Sequence, residues 1–376
     1  MIHSLHIRNF KGIRQADIGL ERLTVIVGPN ASGKTSILES LNHLSRLGTD
    51  HPNSLFRGIR DPLYIYPRDA RREEMILSCT GGKGGIRLRM VPPSMSPEDI
   101  LRPISAREEW RFYVENIESP ESGKKRHATA DTNDFDNEFH PAEMFRFDTS
   151  RMTEPSFNIE TRLRYDGWGL ASALAFMAIN HPRDFQSVLQ RLRSVIPSVE
   201  RIRFDQVLLS ESYMPPFQKY IYENSQSSIF LYSYVFDFER ARDIPARLAS
   251  EGTIIVLGIL TVLMGQGRPN LILMDDLDRG LHPRAQREVV GLLRTILDQN
   301  PELQIVATTH SPYLLDHLRP EEVRLTTLGD DGTVSVAGLT EHPDFDKWKD
   351  EMAPGEMWSL FGEKWVGELP KNAGVE

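Results

Sequence analysis

Eight consecutive residues, Gly28-Pro-Asn-Ala-Ser-Gly33-Lys34-Thr35, combine small side chains, one lysine and a closing threonine hydroxyl at a spacing that suits a chain of phosphates. Small residues let successive backbone N–H groups curl around phosphate oxygens, the lysine neutralises charge on the outer phosphates, and the hydroxyl binds a divalent cation. The candidate contacts are Asn30, Ala31, Ser32, Gly33, Lys34, Thr35 and Ser36. With glycine at about 7% of residues, a chance match in a chain this long has a probability on the order of 1%, so a glycine-rich turn with an incidental lysine is the weaker reading.

A phosphate-bound Mg²⁺ needs hard oxygen ligands from elsewhere in the chain. Leu271-Ile-Leu-Met274-Asp275-Asp276 supplies them at the end of an apolar run. Asp275 is the candidate for holding the metal, and Asp276 for orienting or deprotonating an attacking water. Further on, Thr309-His310-Ser311 ends a second apolar run, where His310 could touch a terminal phosphate. Read alone, one histidine is as readily structural. Ser250-Glu251-Gly252-Thr253 opens an apolar helix, and such an N-terminus favours phosphate. Locally, Ser250 is also an ordinary N-cap. Because Gly28–Thr35 already cradles its own nucleotide, Ser250 and Gly252 would most naturally meet the terminal phosphate held by another subunit.

These residues need strands and helices to hold them. Ile2–Ile7 alternates apolar and polar residues, and Leu23–Val27 is a β-branched run ending at Gly28, so both read as strands. Ser36–Leu47 puts Ile37, Leu38, Leu41 and Leu44 on one helical face. Met75–Thr80 and Ile86–Met90 flank GGKGG, a hairpin signal. From Val91 to about Glu160 the composition turns to Pro, Ser, Asp, Asn and Glu, including the polar stretch Ser119–Asn137, which predicts an insertion with a mobile loop. Helices follow at Leu170–Ile179 and Phe185–Ile196, then strands at Ile202–Leu208 and Ile229–Phe236. The last third alternates helix Ile254–Met264, strand Leu271–Met274, a helix from Pro283 to Leu297, strand Gln304–Thr308 and a helix from Pro312. Alternation of this kind implies a largely parallel sheet covered on both faces.

The chain has 376 residues, 40% hydrophobic and 26% charged, enough for a sizeable core. Its formal net charge of −9 argues against generic adhesion to nucleic acid, so DNA binding would need a local basic patch. One cysteine, Cys79, excludes an internal disulfide framework and agrees with a reducing compartment. Charges occupy the N-terminus where a signal peptide would be apolar, and no run is long enough to cross a membrane. A cytoplasmic protein without membrane contact is expected.

Taken in order, the motifs resemble the ABC-type ATPase heads of the RecF/SMC and OLD (overcoming lysogenization defect) group. Ile7-Arg8-Asn9-Phe10-Lys11-Gly12 is similar to that group's first-strand motif, Gly28–Thr35 to its Walker A and Ser250–Thr253 to its signature. Asp275-Asp276 is similar to Walker B, His310 to the switch histidine, and Gly280-Leu281-His282-Pro283 to the OLD-like continuation. The resemblance implies an α/β fold: a P-loop NTPase of the ABC-ATPase type with a mostly parallel central sheet, an N-terminal antiparallel β portion and a helical insertion. It divides the chain into 1–90, the first part of the head; 91–164, the insertion; 165–340, the helical region and second part of the head; and 341–376, a tail rich in tryptophan.

It further implies ATP and Mg²⁺ as ligands and a head-to-tail homodimer closing around two nucleotides. Lys34, Asp276 and His310 would be its catalytic residues, and Thr35 and Asp275 its metal ligands. The tail, with Trp348, Trp358 and Trp365, resembles that of stand-alone OLD-like ATPases encoded beside a separate Toprim-type nuclease; packing of these rings onto the core is the alternative. No fused nuclease is expected, and DNA is a candidate partner.

Two departures bear on turnover. The family's glutamate after the Walker B aspartate is here Asp276, which retracts the carboxylate by about one C–C bond and would slow hydrolysis. No glutamine lies between Gln15 and Gln186, so the glutamine loop is missing or replaced, with Arg57–Asp61 as a candidate substitute. An ATP-dependent dimerisation module with negligible turnover is thus the second reading. A transporter ATPase is disfavoured by RNFKG, by the wide gap between Walker A and Walker B and by SEGT in place of SGGQ.

Overall fold

A computed structural model describes residues 1–56, 65–66, 73–82, 84–91, 111–118, 141–157, 161–208 and 230–369. In chain order the first elements are β1 (Ile2–Phe10), β2 (Ile13–Gly19), β3 (Leu23–Val27), α1 (Lys34–Arg46), β4 (Met75–Gly81), β5 (Gly84–Val91), β6 (Arg111–Glu118) and β7 (Glu143–Phe145). Then come β8 (Ser156–Phe157), α2 (Leu170–Asn180), α3 (Pro182–Val195), β9 (Val199–Leu208), β10 (Phe230–Phe238), β11 (Ala241–Pro245) and α4 (Glu251–Met264). The last are β12 (Leu271–Met274), α5 (Pro283–Gln299), β13 (Gln304–Thr309), α6 (Pro312–Leu315), β14 (Val323–Leu328), β15 (Val334–Gly338), α7 (Pro354–Phe361) and α8 (Lys364–Glu368).

The chain divides into two compact units, the first made of Met1–Met144, Pro269–Asp275 and Asn300–Glu376. It carries an antiparallel sheet in the order β2-β1-β4-β5-β6 and a second sheet in the order β15-β14-β3-β13-β12-β7. In the second sheet β12, β13, β3 and β14 run parallel to one another, and β15 returns antiparallel beside β14. β3 is buried at every position, as a β-branched strand at the centre of a covered parallel sheet must be. α1 packs between the sheets, with Ile37, Leu38, Leu41 and Leu44 in one core with Leu5 and Ile7 of β1 and Leu273 and Val306 of β12 and β13. Cys79 is buried in the same core, where burial pushes its thiol up to about 12.

The second unit comprises Phe145–Arg268 and Asp276–Gln299. β10 is its central strand, paired with β8, β9 and β11, and helices α2 to α5 complete it. α4 is buried from Thr253 to Leu263, which is why its sequence is apolar on every side rather than along one stripe. α3 shows the ordinary pattern, burying Phe185, Val188, Leu189 and Leu192.

The described residues of the stretch 91–164 fall in three places. β6 extends the first sheet, paired with β5 from Gly84↔Glu118 to Val91↔Arg111, β7 joins the second sheet, and β8 belongs to the second unit. Ser119–Asn137 and Arg57–Asp61 lie outside the described residues. β2, β14 and β15 were not anticipated from the sequence. Among the described residues, no helix is long and apolar enough to cross a membrane.

Candidate nucleotide site

β3 delivers the chain to Gly28, and α1 begins at Lys34. Between them Ala31 and Gly33 take left-handed backbone, φ 63° and 87°, the alternation that turns successive N–H groups towards one side. Gly33 is the N-cap of α1 and contributes no capping side chain, leaving the helix's first N–H groups to be met by something else. Its glycine identity is also steric, since a Cβ there would stand 2.9 Å from Cγ1 of Val334 on β15. A Cβ on Gly28 would stand 2.3 Å from the carbonyl oxygen of Thr326 on β14. The Thr326 hydroxyl pairs with that of Ser32 at 2.6 Å and donates to the Val27 carbonyl at 3.2 Å, pinning the loop to the sheet. Lys34 is buried, and its ammonium donates to the carbonyls of Gly28 and Pro29 at 2.9 and 2.8 Å. Asn30 and Ala31 are exposed at the crest, and Ser36 lies in the first turn of α1.

Strand register brings the acid to this loop. Met274 aligns with Ala307, so Asp275 follows at the level of Thr308, and Thr309 aligns with Val27, so His310 follows at the level of Gly28. Asp275 is buried and its carboxylate accepts from the Thr35 hydroxyl at 3.0 and 3.2 Å and from the Thr308 hydroxyl at 2.7 Å. These groups gather at the carboxyl ends of parallel strands, where α/β sheets bind ligands. A hydroxyl and a carboxylate in contact are hard oxygen donors of the kind Mg²⁺ takes. Among the described residues there is no cluster of three or more His, Cys, Asp or Glu side chains to hold a metal alone. The pair therefore fits a cation that draws its other ligands from phosphate and water. His310 is exposed just beyond β13.

Asp276, one residue past the acid, belongs to the second unit. Its backbone is left-handed, φ 58°, and one carboxylate oxygen accepts from Nε and Nη2 of Arg146 at 3.1 and 2.9 Å. Ser250 and Gly252 also belong to that unit, where they form the cap of α4. The Ser250 hydroxyl accepts from the Thr253 N–H at 3.2 Å and pairs with the Thr253 hydroxyl at 2.7 Å. A Cβ on Gly252 would lie 3.2 Å from the Gly280 carbonyl oxygen, so the helix start sits close against that turn.

The roles of Arg146, Thr308 and Thr326 do not follow from the sequence motifs. Hydroxyls at buried positions of QIVATT and VRLTTL are the available signal for the two threonines. Arg146 carried none beyond a charge between two phenylalanines.

The family described as "AAA domain, putative AbiEii toxin, Type IV TA system" matches residues 101–316, and one described as "AAA ATPase domain" matches residues 1–90. The Septu protein PtuA of Bacillus thuringiensis is 24% identical over 349 residues, covering 90% of this chain and 79% of that protein. Among solved structures, an Smc head bound to the C-terminal winged-helix domain of ScpA is 14% identical with a TM-score of 0.55, covering 92% of this chain and 99% of that one. The Smc head with an extended coiled coil from Pyrococcus furiosus is 13% identical with a TM-score of 0.51, covering 93% and 99%. At such identities the likeness speaks for the fold, an SMC-type head. With the phosphate loop, the acid and the fold of an SMC-type head in place, the chain belongs to the AAA-domain family that matches residues 101–316.

Proposed function

We propose that the chain binds ATP with Mg²⁺ at Gly28–Thr35, hydrolyses it slowly, and in doing so switches a DNA-related or antiphage-defence activity carried by a separately encoded effector such as a Toprim-type nuclease. The observation that carries the nucleotide reading is the convergence of Thr35, Asp275 and Thr308 beside the loop. In this reading Asn30 to Ser36 wrap the phosphates and Lys34 neutralises them. Thr35 and Asp275 hold Mg²⁺, which when bound shields the charge of the outer phosphates. Asp276 orients the attacking water and His310 contacts the terminal phosphate. Two copies close head to tail, Ser250 and Gly252 of each meeting the nucleotide of the other.

Support for a partnered switch comes from the relatives: one solved SMC head is bound to a domain of ScpA, and the Septu protein PtuA matches over most of both chains. The site in the cytoplasm and the engagement of DNA belong to the same proposal. The decisive measurement is phosphate release by purified protein beside a Lys34→Ala variant. Loss of at least about tenfold is expected, since the lysine acts on charge developed in transfer. Equal rates would end the hydrolytic reading. The reading in which ATP assembles a dimer without turnover is favoured by one observation, the Asp276 carboxylate held by Arg146, and an ATP-dependent dimer with no phosphate release would establish it.

A further inference from the structure

The tail meets the nucleotide site through the one-turn helix α6. β13 ends at Thr309, His310 follows, and α6 occupies only Pro312–Leu315. A single turn has no stability of its own, so its placement depends on what packs against it. On the loop side, the Ser311 N–H donates to the Thr309 hydroxyl at 3.0 Å, and the preceding Thr308 hydroxyl holds Asp275. On the other side α7 of the tail lies directly against α6. A Cβ on Gly355 would stand 2.0 Å from the Pro312 carbonyl oxygen and 2.5 Å from Oδ1 of Asp316, so only glycine permits this approach. The same Asp316 oxygen accepts from the Glu356 N–H at 3.2 Å, in the first turn of α7, where a carboxylate also suits the helix dipole. Pro354 and Met357 are buried, and the Glu356 carboxylate accepts from the Ala353 N–H at 2.9 Å, closing a cap that fixes the start of α7.

From the metal-side acid to the tail there is thus an unbroken series: Asp275, Thr308, Thr309, Ser311, α6, then Asp316 and Gly355. We propose that α7 is a positioning element for the nucleotide site, with Asp316 and Gly355 fixing α6 and through it His310. This rests on the ATPase reading. It gives the tail a task beyond covering apolar surface: a displacement of α7 moves the histidine that contacts the terminal phosphate, while the loop that binds nucleotide stays on β3 and α1.

The test compares Asp316→Ala, Asp316→Asn and Gly355→Ala with wild type. Asp316→Ala is expected to lower kcat for ATP about five- to tenfold with KM changed less than about twofold, the pattern of lost positioning rather than lost binding. Asp316→Asn, which keeps an oxygen for the Glu356 N–H, should restore most of it. Added to His310→Ala, Asp316→Ala should have almost no further effect. Faster hydrogen exchange at the Ser311 amide in Asp316→Ala, with the β3 amides unchanged, is the readout that does not need turnover. A variant that melts earlier yet keeps kcat and Ser311 exchange would overturn the proposal, as would a full additional loss on His310→Ala. Should Gly355→Ala not fold, the Asp316 variants decide alone. Failure of the ATPase reading is separate: it shows in wild type matching Lys34→Ala, and the exchange measurement still decides the coupling.

Discussion

Asp276 sits where a left-handed backbone, φ 58°, is imposed on a residue with a side chain. Asp and Asn tolerate that conformation best among non-glycine residues, through short polar side chains that bond locally. This gives a backbone reason for aspartate in place of the glutamate that the resemblance to ABC-type heads implies, a departure that spacing alone leaves unexplained. The ion pair with Arg146 adds little stability, because Arg146 is 49% and Asp276 21% exposed, and such pairs are worth about 0–1 kcal/mol. Fold and chemistry should therefore separate at this residue. Asp276→Asn keeps the backbone preference and is expected to leave the melting temperature almost unchanged while reducing phosphate release by about 10²-fold or more. Asp276→Glu should restore reach but cost about 1 kcal/mol in the left-handed turn, seen as a lower urea midpoint. If Asp276→Asn turned over ATP at the wild-type rate, another group would have to act on the water.

At the scale of elements, what could be read from the sequence was what the core dictates locally. β3, β12 and β13 are continuous buried runs, and the phosphate loop, Asp275 and His310 all sit at their carboxyl ends, so spacing and hydrophobicity together exposed them. β6, β14 and β15 were not legible because partners far along the chain, rather than their own periodicity, make them strands. β14 pairs with β3 at a separation of roughly three hundred residues, and with it came Thr326, the residue that fastens Ser32. Arg146 and Thr308 were hidden for a related reason: each acquires its role from a contact fixed by tertiary structure. The tail shows how an element's aromatic content acts physically. His342 lies 4.6 Å from the ring of Phe361 and 4.8 Å from that of Trp365, and its Nδ1 accepts from the Asp344 N–H at 3.0 Å, which leaves the neutral tautomer protonated on Nε2. Burial holds its pKa below the ordinary histidine value, against a smaller opposing pull from Asp344. The folded state thus binds this proton less readily than the unfolded chain. Its contribution is complete above the unfolded value of about 6.5 and is lost as pH falls through that value towards the depressed folded one, with a slope of at most about 1.4 kcal/mol per pH unit. Urea midpoints at pH 7.5 and 5.5 should fall further for wild type than for His342→Gln. Parallel losses would place the acid sensitivity elsewhere.

For the molecule as a whole, the loop, Asp275 and His310 belong to one unit and Ser250 and Gly252 to the other. The trans assignment asks Ser250 to do two things: cap α4 in its own chain and face the nucleotide of a second copy. The first is present in the hydrogen bonds to Thr253. The second can be isolated, because losing the cap and blocking the approach of a partner are different injuries. Ser250→Ala removes the capping oxygen, at about 1 kcal/mol of helix stability, but leaves a small surface. Ser250→Arg removes the same oxygen and adds a bulky cation at an exposed position. Both variants should therefore melt earlier by a similar amount, while only Ser250→Arg should prevent dimerisation. Light scattering with ATP in the Asp276→Asn background, where slow turnover preserves the closed state, is expected to give dimers for Ser250→Ala and monomers for Ser250→Arg. Nucleotide affinity of the monomer, measured at protein concentrations too low for association, should be equal in both. A matching loss of affinity in Ser250→Arg would mean that the residue serves its own chain's nucleotide, and a dimer that survives the substitution would move the interface away from the start of α4.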